Sequence, residues 1–349
     1  MASELTVASV LDRVTSGAKL SEAESEYVME AIVTGRATSA QIAGFLVALK
    51  MRGESVEELV GMARIMRSYA VKLSVNVSDC FDTCGTGGDG AQTFNVSSVA
   101  AVVLAGAGVR VAKHGNRSVS SRSGSADLFE AFGVNVEASP SVVAQCLMKT
   151  GIAFCYAPTF HPSMKHAGPT RRELGVRTAF NLLGPLTNPV GVRHQIIGVP
   201  NIEVVDLVAT ALLSLGSERV WVVHGAGGLD ELSPMGATEV CEIHQGRLSR
   251  FSIGPEDFGV RPTDVTALRV DSVAESHSMA VSVLAGESGT GRDIVLMNAA
   301  AGLLVAGRVD TLADGMRSAA VAIDEGRASA ALDRMVTCSQ DIEGHENGG

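Results

Sequence analysis

From about residue 76 onward, short apolar segments alternate with alanine-rich segments, and this alternation limits the folds open to the chain more than any other feature. Strands that alternate with helices predict an α/β domain with a mostly parallel sheet covered by helices. One antiparallel hairpin is also expected over 239–253, around Gln245-Gly246. Strands are predicted at 109–112, 134–137, 152–156, 194–199 and 219–224, and helices at 99–107, 127–132, 141–150 and 202–215.

The first 72 residues instead predict a small helical domain. A hydroxyl residue followed three positions later by Glu or Gln marks three helix starts as capping boxes, and apolar residues recur at helical spacing after each. The apolar surplus suits a core or a contact with a second copy equally well. The capping boxes are Ser21-x-x-Glu24, Thr38-x-x-Gln41 and Ser55-x-x-Glu58.

Composition excludes several classes of protein. The net charge of −10 argues against general nucleic-acid binding, which needs a basic face. The first residues lack the charged-then-apolar pattern of a signal peptide, so none is expected, and no apolar run reaches the length that spans a membrane. The six cysteines show no C-x-x-C pair or zinc spacing, which predicts reduced, mostly buried thiols in a cytoplasmic protein.

The glycine-rich segment 85–90 (GTGGDG), here called the glycine loop, predicts a phosphate site. Glycines let backbone N–H groups approach phosphate oxygens, and hydroxyl and basic residues follow at 95–98, 113–117 and 120–127. Asp89 would repel a bare phosphate. Its presence favours a ligand that brings a divalent metal, or an ordered network of donors.

The same loop matches the G-x-G-x-x-G pattern of dinucleotide-binding proteins. That motif requires an acidic residue about 20 positions later, at the end of the next strand. Here the next predicted strand runs into Lys113 and His114. A basic strand end disfavours NAD and extends the phosphate site, so an NAD-dependent oxidoreductase is rejected.

Two further segments carry candidate chemistry. Basic residues gather over 161–178, where Arg could hold a planar carboxylate through two parallel hydrogen bonds. A solvated basic helix face explains that segment equally well. Asp230 and Glu231 follow a predicted strand at the edge where α/β sheets bind ligands. By itself such a pair is usually solvated, but next to a phosphate site it becomes a candidate Mg²⁺ anchor.

Together these segments resemble the anthranilate phosphoribosyltransferase family over nearly the whole chain. Two departures stand out, Ser98 where the family commonly has Thr and Phe160 where a Tyr usually precedes His-Pro, so no polar role is assigned to position 160. The resemblance is carried by TSAQIAGFLVALKMRGESVEE at 38–58, the glycine loop, NVSS at 95, KHGNR at 113, SGSAD at 123, HPSMKHAGPTRRELGVRTAFNLLGPLTNP at 161 and GLDELSP at 228.

The resemblance implies a fold of the nucleoside phosphorylase/phosphoribosyltransferase type. It has a small helical domain, residues 1–72, joined by the segment around 161–185, and a larger α/β catalytic domain over 76–349 with a mostly parallel central sheet. It also implies a homodimer formed through the helical domain.

The resemblance further implies a glycosyltransferase of tryptophan biosynthesis. The enzyme would transfer the phosphoribosyl group of 5-phosphoribosyl 1-pyrophosphate (PRPP) to the amino group of anthranilate, with Mg²⁺ as cofactor and pyrophosphate as the other product. No dedicated general base is expected, because an aromatic amine is already unprotonated near neutral pH.

The resemblance also assigns individual residues. Arg171 would face the anthranilate carboxylate. PRPP would be bound by Gly85, Gly88, Asp89, Thr93, Asn95, Ser97, Ser98, Lys113, Ser121 and Ser125. Anthranilate would be bound by Gly85, His114, Asn116, His161, Arg171, Gly184 and Pro185, and Mg²⁺ by Ser97, Asp230 and Glu231.

Two alternatives share this fold. A pyrimidine nucleoside phosphorylase also acts at a ribosyl centre, but it would leave Arg171 and the pair Asp230-Glu231 without a task. A non-catalytic, nucleic-acid-binding relative is a different class of function, and the charge of −10 and the intact acidic pair argue against it.

Overall fold

Seven strands form one sheet in the computed structural model, which describes residues 5–73, 75, 79–118 and 122–341. Its strand order is β3-β2-β1-β4-β5-β6-β7. Strands β1 to β5 are parallel, and β6 and β7 are antiparallel. The strands are β1 Phe81–Gly85, β2 Val111–Gly115, β3 Ile152–Tyr156, β4 His194–Gly198, β5 Arg219–Gly225, β6 Thr238–His244 and β7 Arg247–Ile253.

Four helices precede the first strand in the chain, and the others follow it. The first four are α1 Val7–Thr15, α2 Glu22–Val33, α3 Ser39–Arg52 and α4 Val56–Ser68. The others are α5 Val96–Gly106, α6 Ser125–Ala131, α7 Pro140–Thr150, α8 Ala157–Phe160, α9 Gly168–Leu174, α10 Ala179–Leu186, α11 Val205–Ser214, α12 Val273–Leu284, α13 Thr290–Val305, α14 Leu312–Asp324 and α15 Arg327–Ser339. None of the helices within the described ranges is long and apolar enough to cross a membrane.

The predicted fold class is confirmed, and so are the local signals that led to it. All three capping boxes start the helices expected of them, α2, α3 and α4. The hairpin β6–β7 turns at Gln245 and Gly246, whose φ angles of 52° and 71° fit a type I′ turn. All six cysteines are buried and free of disulfides.

The strand predicted at 134–137 was wrong. This segment follows α6 as a turn, and its first amide bonds back to the carbonyl of Phe129 in that helix. Val134 and Val136 are buried in the main core while Glu137 is exposed, which imitates the alternation of a strand. Burial at every second residue therefore arises here from a loop that packs on the core.

The two faces of the sheet bury different sets of helices. One face packs on α5 and α13, with Ile196 and Trp221 on that side, and α14 packs on those two helices. The opposite face packs on α10 and α11, with Ile197 and Val222 on that side, and α1 to α4 extend the same apolar cluster outward. Helices α9 and α10 contact α3 and α4. We therefore propose that the segment around 161–185 belongs with the N-terminal helices, and we call α1–α4, α9 and α10 the helical module.

The strand order creates a crevice at one place on the sheet. From β1 the chain moves outward through β2 and β3, and it then returns to the other side of β1 to form β4. At such a reversal the connections leave the strand ends in opposite directions, and ligands bind in the gap between them. The strand ends at this gap are Gly85 and Gly198, which pair in register.

Candidate active site

The glycine loop begins where β1 ends and lies against the segment that follows β5. The Gly87 amide donates a hydrogen bond to Oδ2 of Asp230 over 2.7 Å, and the Thr86 amide donates to the Gly198 carbonyl over 2.9 Å. A Cβ on Gly85 would overlap the Asp230 carboxylate, and a Cβ on Gly198 would overlap the Asp230 carbonyl oxygen. Glycine at both strand ends is therefore what allows Asp230 to reach the loop.

Three carboxyl groups meet at this point. Burial, and then the negative charge of Asp89, raise the pKa of Asp230 to about 7, while the Gly87 amide opposes that rise. Burial and the neighbouring Asp230 raise the pKa of Glu231 well above its ordinary value. A divalent cation would relieve this repulsion, because it favours the charged form of each carboxyl.

These carboxyl groups suit an open magnesium site. Nowhere in the described ranges do three or more His, Cys, Asp or Glu side chains form a ready-made metal cage. Mg²⁺ does not need one, since it commonly takes one or two protein carboxylates and completes its shell with water and substrate phosphate. The predicted ligands Asp230 and Glu231 are adjacent, and Ser97 is bound to Glu231 through its amide, which donates to Oε1 over 3.0 Å.

Helix α5 starts beside the carboxyl groups and presents its N-terminus to the crevice. Its N-cap, Asn95, uses its side-chain oxygen to accept hydrogen bonds from Ser123 and Ser276, at 2.7 and 2.8 Å. Those bonds fix α5 to the start of α6 and to α12. The buried hydroxyl oxygen of Ser98 has no hydrogen-bond partner among the described residues. The positive end of a helix next to an unused hydroxyl favours an anion.

Lys113 lies in β2 with only 2% of its surface exposed. Its charge acts on Asp82 and Glu231 and opposes the rise that burial causes in the pKa of each. Asp82 accepts hydrogen bonds from the His114 amide over 3.2 Å and from Asn188 over 2.8 Å. The buried Asn188 was not assigned a role from the sequence, where it was only one of several turn formers after α10.

Two histidines form a neutral polar wall next to this charged cluster. The rings of His114 and His161 have centroids 5.3 Å apart. Nδ1 of His114 lies 3.2 Å from the carbonyl oxygen of Gly184, and Nε2 of His161 lies 3.0 Å from that of Thr187. A carbonyl oxygen can only accept a hydrogen bond, so Nδ1 of His114 and Nε2 of His161 are the nitrogens that carry the protons. Burial, and then the nearby His161, lower the pKa of His114 to about 3, and burial lowers the pKa of His161 as well.

The remaining predicted residues near His114 line the same wall. Gly184 and Pro185 lie in α10, where Pro185 is buried and its carbonyl accepts a hydrogen bond from Gln195 over 3.1 Å. Nε2 of His114 has no partner within the described chain. The wall therefore offers one free ring nitrogen next to apolar surface.

Two arginines of the basic segment are half-buried, and one of them reaches the glycine loop. The guanidinium of Arg171, in α9, stands 5.0 Å from the ring centroid of Phe180, and burial lowers its pKa. In the described part of the chain, Arg171 makes no ion pair. Arg177 donates a hydrogen bond from Nη2 to the Thr86 carbonyl over 3.1 Å and lies directly on Gly88. The sequence placed Arg177 in the basic cluster but gave it no role in the site.

Other predicted residues lie around the site without joining these contacts. Thr93 pairs with the strand-like residue Arg269, and Asn116 is exposed just after β2. Ser125 is the first residue of α6. Ser121 lies outside the described residues. Phe160 is fully buried in the core, which agrees with the absence of a polar role there.

Comparison with known proteins gives consistent matches over the whole fold. Residues 77–329 match the model of the glycosyl transferase family, a/b domain, and residues 8–70 match that of the glycosyl transferase family, helical bundle domain. The chain is 49% identical to the anthranilate phosphoribosyltransferase of Moorella thermoacetica over 93% of its own length and 96% of that protein's.

Solved structures agree with this match. The anthranilate phosphoribosyltransferase of Thermus thermophilus superposes with a TM-score of 0.89 at 41% identity, covering 95% of this chain and 99% of that one. The enzyme from Saccharomyces cerevisiae in complex with PRPP and Mg superposes with a TM-score of 0.87 at 28% identity, covering 97% and 99%.

The buried His114 makes stability depend on pH in a definite direction. Its folded pKa of about 3 lies below the ordinary 6.5, so its stabilising contribution is complete above about pH 6.5 and is lost as the pH falls from there. At that lower pH the His114 imidazole is protonated in the unfolded state but remains neutral in the folded state. Between about pH 7.5 and about pH 5, we expect the free energy of unfolding to fall by about 2 kcal/mol more in the wild type than in His114→Gln.

Urea unfolding at each pH measures this difference. Replacing the exposed His244 by Gln is the matched control and should keep the pH dependence of the wild type. Parallel curves for the wild type and His114→Gln would show that His114 is not held neutral.

Proposed function

The chain belongs to the family of anthranilate phosphoribosyltransferases, glycosyltransferases of tryptophan biosynthesis, and we propose how its site performs the family's reaction. That reaction transfers the phosphoribosyl group of PRPP to the amino group of anthranilate and releases pyrophosphate. The observation that carries the proposal is the meeting of the glycine loop, Asp230 and Glu231 at the chain reversal beside a neutral histidine wall.

PRPP would bind on the glycine loop and the N-terminus of α5. The loop amides, the hydroxyls of Ser97 and Ser98 and the buried Lys113 supply donors and one positive charge for its phosphates. The unpartnered Ser98 hydroxyl supports this placement, because a buried hydroxyl without a partner is costly unless a ligand completes it. Gly85, Gly88, Asp89, Thr93, Asn95, Ser121 and Ser125 would complete the PRPP site.

Magnesium would be held by Asp230 and Glu231 with Ser97. Burial, and then the charge of Asp89, raise the pKa of Asp230, and this crowding of buried carboxyl groups is the feature that fits a divalent cation. The relative from Saccharomyces cerevisiae was solved with PRPP and Mg. When bound, the ion supplies positive charge that offsets the charge of the pyrophosphate as it leaves.

Anthranilate would bind against the histidine wall. His114 and His161 stay neutral, so they offer polar contacts without attracting the substrate's carboxylate away from a cation. The half-buried Arg171, which has no acidic partner in the described ranges, is the cation available to that carboxylate. Gly85, Asn116, Gly184 and Pro185 would complete the pocket.

Once both substrates are bound, the side chains of the site do not have to form a covalent bond to either of them. The amino group of anthranilate already carries a free electron pair near neutral pH, so no side chain has to remove a proton before it attacks. The barrier lies in breaking the bond between C1 and pyrophosphate, and negative charge grows on the leaving group as this bond breaks. Lys113 is buried in β2 and is in place before the reaction, so it stabilises that charge without reorganising.

One assay separates this function from its alternatives. The protein with Mg²⁺ and PRPP should consume anthranilate, which is followed by the loss of anthranilate fluorescence. A pyrimidine nucleoside phosphorylase would instead consume inorganic phosphate and a nucleoside, and a non-catalytic nucleic-acid-binding relative would consume neither pair.

The acidic pair gives a sharper test of the metal site. Asp230→Asn and Glu231→Gln keep an oxygen to accept from the Gly87 and Ser97 amides but remove the charge, so turnover should fall strongly while the fold is kept. For the milder variant, higher Mg²⁺ should restore part of the activity. A magnesium titration of turnover measures both effects, with Asp310→Asn, an exposed carboxylate, as the control. Titration curves that overlay the wild type in both variants would refute the metal assignment.

The role proposed for Arg171 predicts a change in one substrate's KM. In Arg171→Ala the anthranilate carboxylate loses a charge-assisted contact worth about 1.5–3 kcal/mol, so its KM should rise about ten- to hundredfold. Arg171→Lys should recover only part of this, because an ammonium cannot reproduce a planar fork. Steady-state kinetics measure KM, and Arg172→Ala, exposed on the same helix, is the control. An unchanged KM for anthranilate in Arg171→Ala would remove this residue from the pocket.

We further propose a homodimer whose contact lies in residues 1–72. In this region Met51, at the end of α3, is 83% exposed, and Leu5 and Tyr69 are 38% and 39% exposed. Sedimentation equilibrium across the micromolar range should give the mass of two chains. A mass of one chain throughout that range would contradict the proposal.

A further inference from the structure

Arg177 connects the helical module to the glycine loop. It lies in the short link between α9 and α10, and so its backbone belongs to the helical module. Its side chain extends to the glycine loop of the sheet. The functional assignments made above leave this residue without a task.

The backbone of Arg177 is tied to the helical module by Lys50. The Lys50 ammonium, near the end of α3, donates a hydrogen bond to the Arg177 carbonyl over 2.9 Å. Lys50 and Arg177 are 127 positions apart in sequence, so this bond closes a long loop of chain. It fixes where the arginine side chain starts.

The guanidinium of Arg177 is in turn tied to the glycine loop. Its Nη2 donates to the Thr86 carbonyl over 3.1 Å, and its Nη1 occupies the space that a Cβ on Gly88 would fill. Gly88 has φ of +84°, a backbone conformation that other residues adopt only with strain. A side chain at position 88 would therefore displace the guanidinium of Arg177.

The loop is thus held from two sides. From the sheet, the Asp230 carboxylate accepts from the Gly87 amide, and from the helical module the Arg177 guanidinium donates to Thr86. The negative charges of Asp230 and Asp89 attract the guanidinium toward the same place. A shift of the helical module would therefore pull on the loop through one cation.

We propose that Arg177 is a positioning residue that couples the helical module to the glycine loop through the chain of contacts Lys50–Arg177–Thr86. The order of the loop in the ligand-free enzyme depends on this chain, and so does the affinity of the loop for PRPP. Only the identity of that ligand rests on the function proposed above. A residue that merely packs would affect stability without distinguishing between the two substrates.

The test compares the full-length wild type with Arg177→Gln, Arg177→Lys, Lys50→Met and the double variant Lys50→Met/Arg177→Gln. Arg172→Gln, an exposed arginine on α9, is the matched control. Two quantities are measured: amide hydrogen exchange of peptides covering 85–95 in the ligand-free protein, and KM for each substrate with kcat.

Loss of the guanidinium contact should free the loop and weaken PRPP binding selectively. In Arg177→Gln, exchange over 85–95 should be faster by about tenfold, and KM for PRPP should rise by about tenfold, with KM for anthranilate within about twofold of the wild type. Arg177→Lys should recover part of both effects. Lys50→Met should show the same pattern at about threefold, although Lys50 touches only the backbone of Arg177.

The double variant separates coupling from two independent effects. Because Lys50 acts through Arg177, the double variant should behave as Arg177→Gln alone, not as the product of the two single effects. Multiplicative effects, or wild-type exchange over 85–95 in both single variants, would overturn the proposal. A rise in KM for anthranilate alone would also overturn it. Hydrogen exchange decides the coupling without turnover, whereas a wild type that fails to consume anthranilate would refute only the function.

Discussion

The close approach of Asp230 to the ends of β1 and β4 is the contact on which the site depends. Gly85 and Gly198 pair in register, and a side chain on either would overlap Asp230. Because neither glycine has a side chain, the segment after β5 can lie across the ends of β1 and β4. The Asp230 carboxylate then accepts a hydrogen bond from the Gly87 amide. The same segment carries Glu231 to the start of α5. Two glycines thus decide whether the acidic pair lies against the glycine loop and α5 or forms a solvated turn.

Strand β2 places a charged side chain, Lys113, on one face of the sheet and a neutral imidazole, His114, on the other. Successive strand residues point to opposite faces, so Lys113 lies on the side of α5 and Glu231 while His114 turns toward α10 and Gly184. The charged half of the site and the neutral half are therefore separated by a single backbone step. This separation matters because an anionic aromatic substrate and a polyphosphate must sit near each other without sharing the same cation. Asp82 holds these two residues of β2 in place, because it accepts a hydrogen bond from the His114 amide and its charge interacts with Lys113.

Much of the fold was predictable because its signals are local. Capping boxes, the Gln245-Gly246 turn and the alternation of strands with helices each involve a few neighbouring residues, and the structure keeps them all except the segment 134–137. That segment failed because burial in a loop can have the period of a strand. The contacts of Asn188 and Arg177 were not predictable, because their partners lie 106 and 91 positions away and only the folded chain brings them together. The segments that form the site could be found from sequence, but not the side chains that join them.

The topology explains why the helical module shares in the site at all. The connection from β3 to β4 must cross β2 and β1, because β3 lies at one edge of the sheet and β4 on the far side of β1. This connection contains α8, α9 and α10. On its way to β4 it passes the ends of β1 and β4, where the chain reverses. Arg171 and Arg177 therefore both come from this crossover, one next to Phe180 and the other on the glycine loop. Because α9 and α10 also pack on α3 and α4, this short stretch of chain joins the N-terminal helices to the glycine loop.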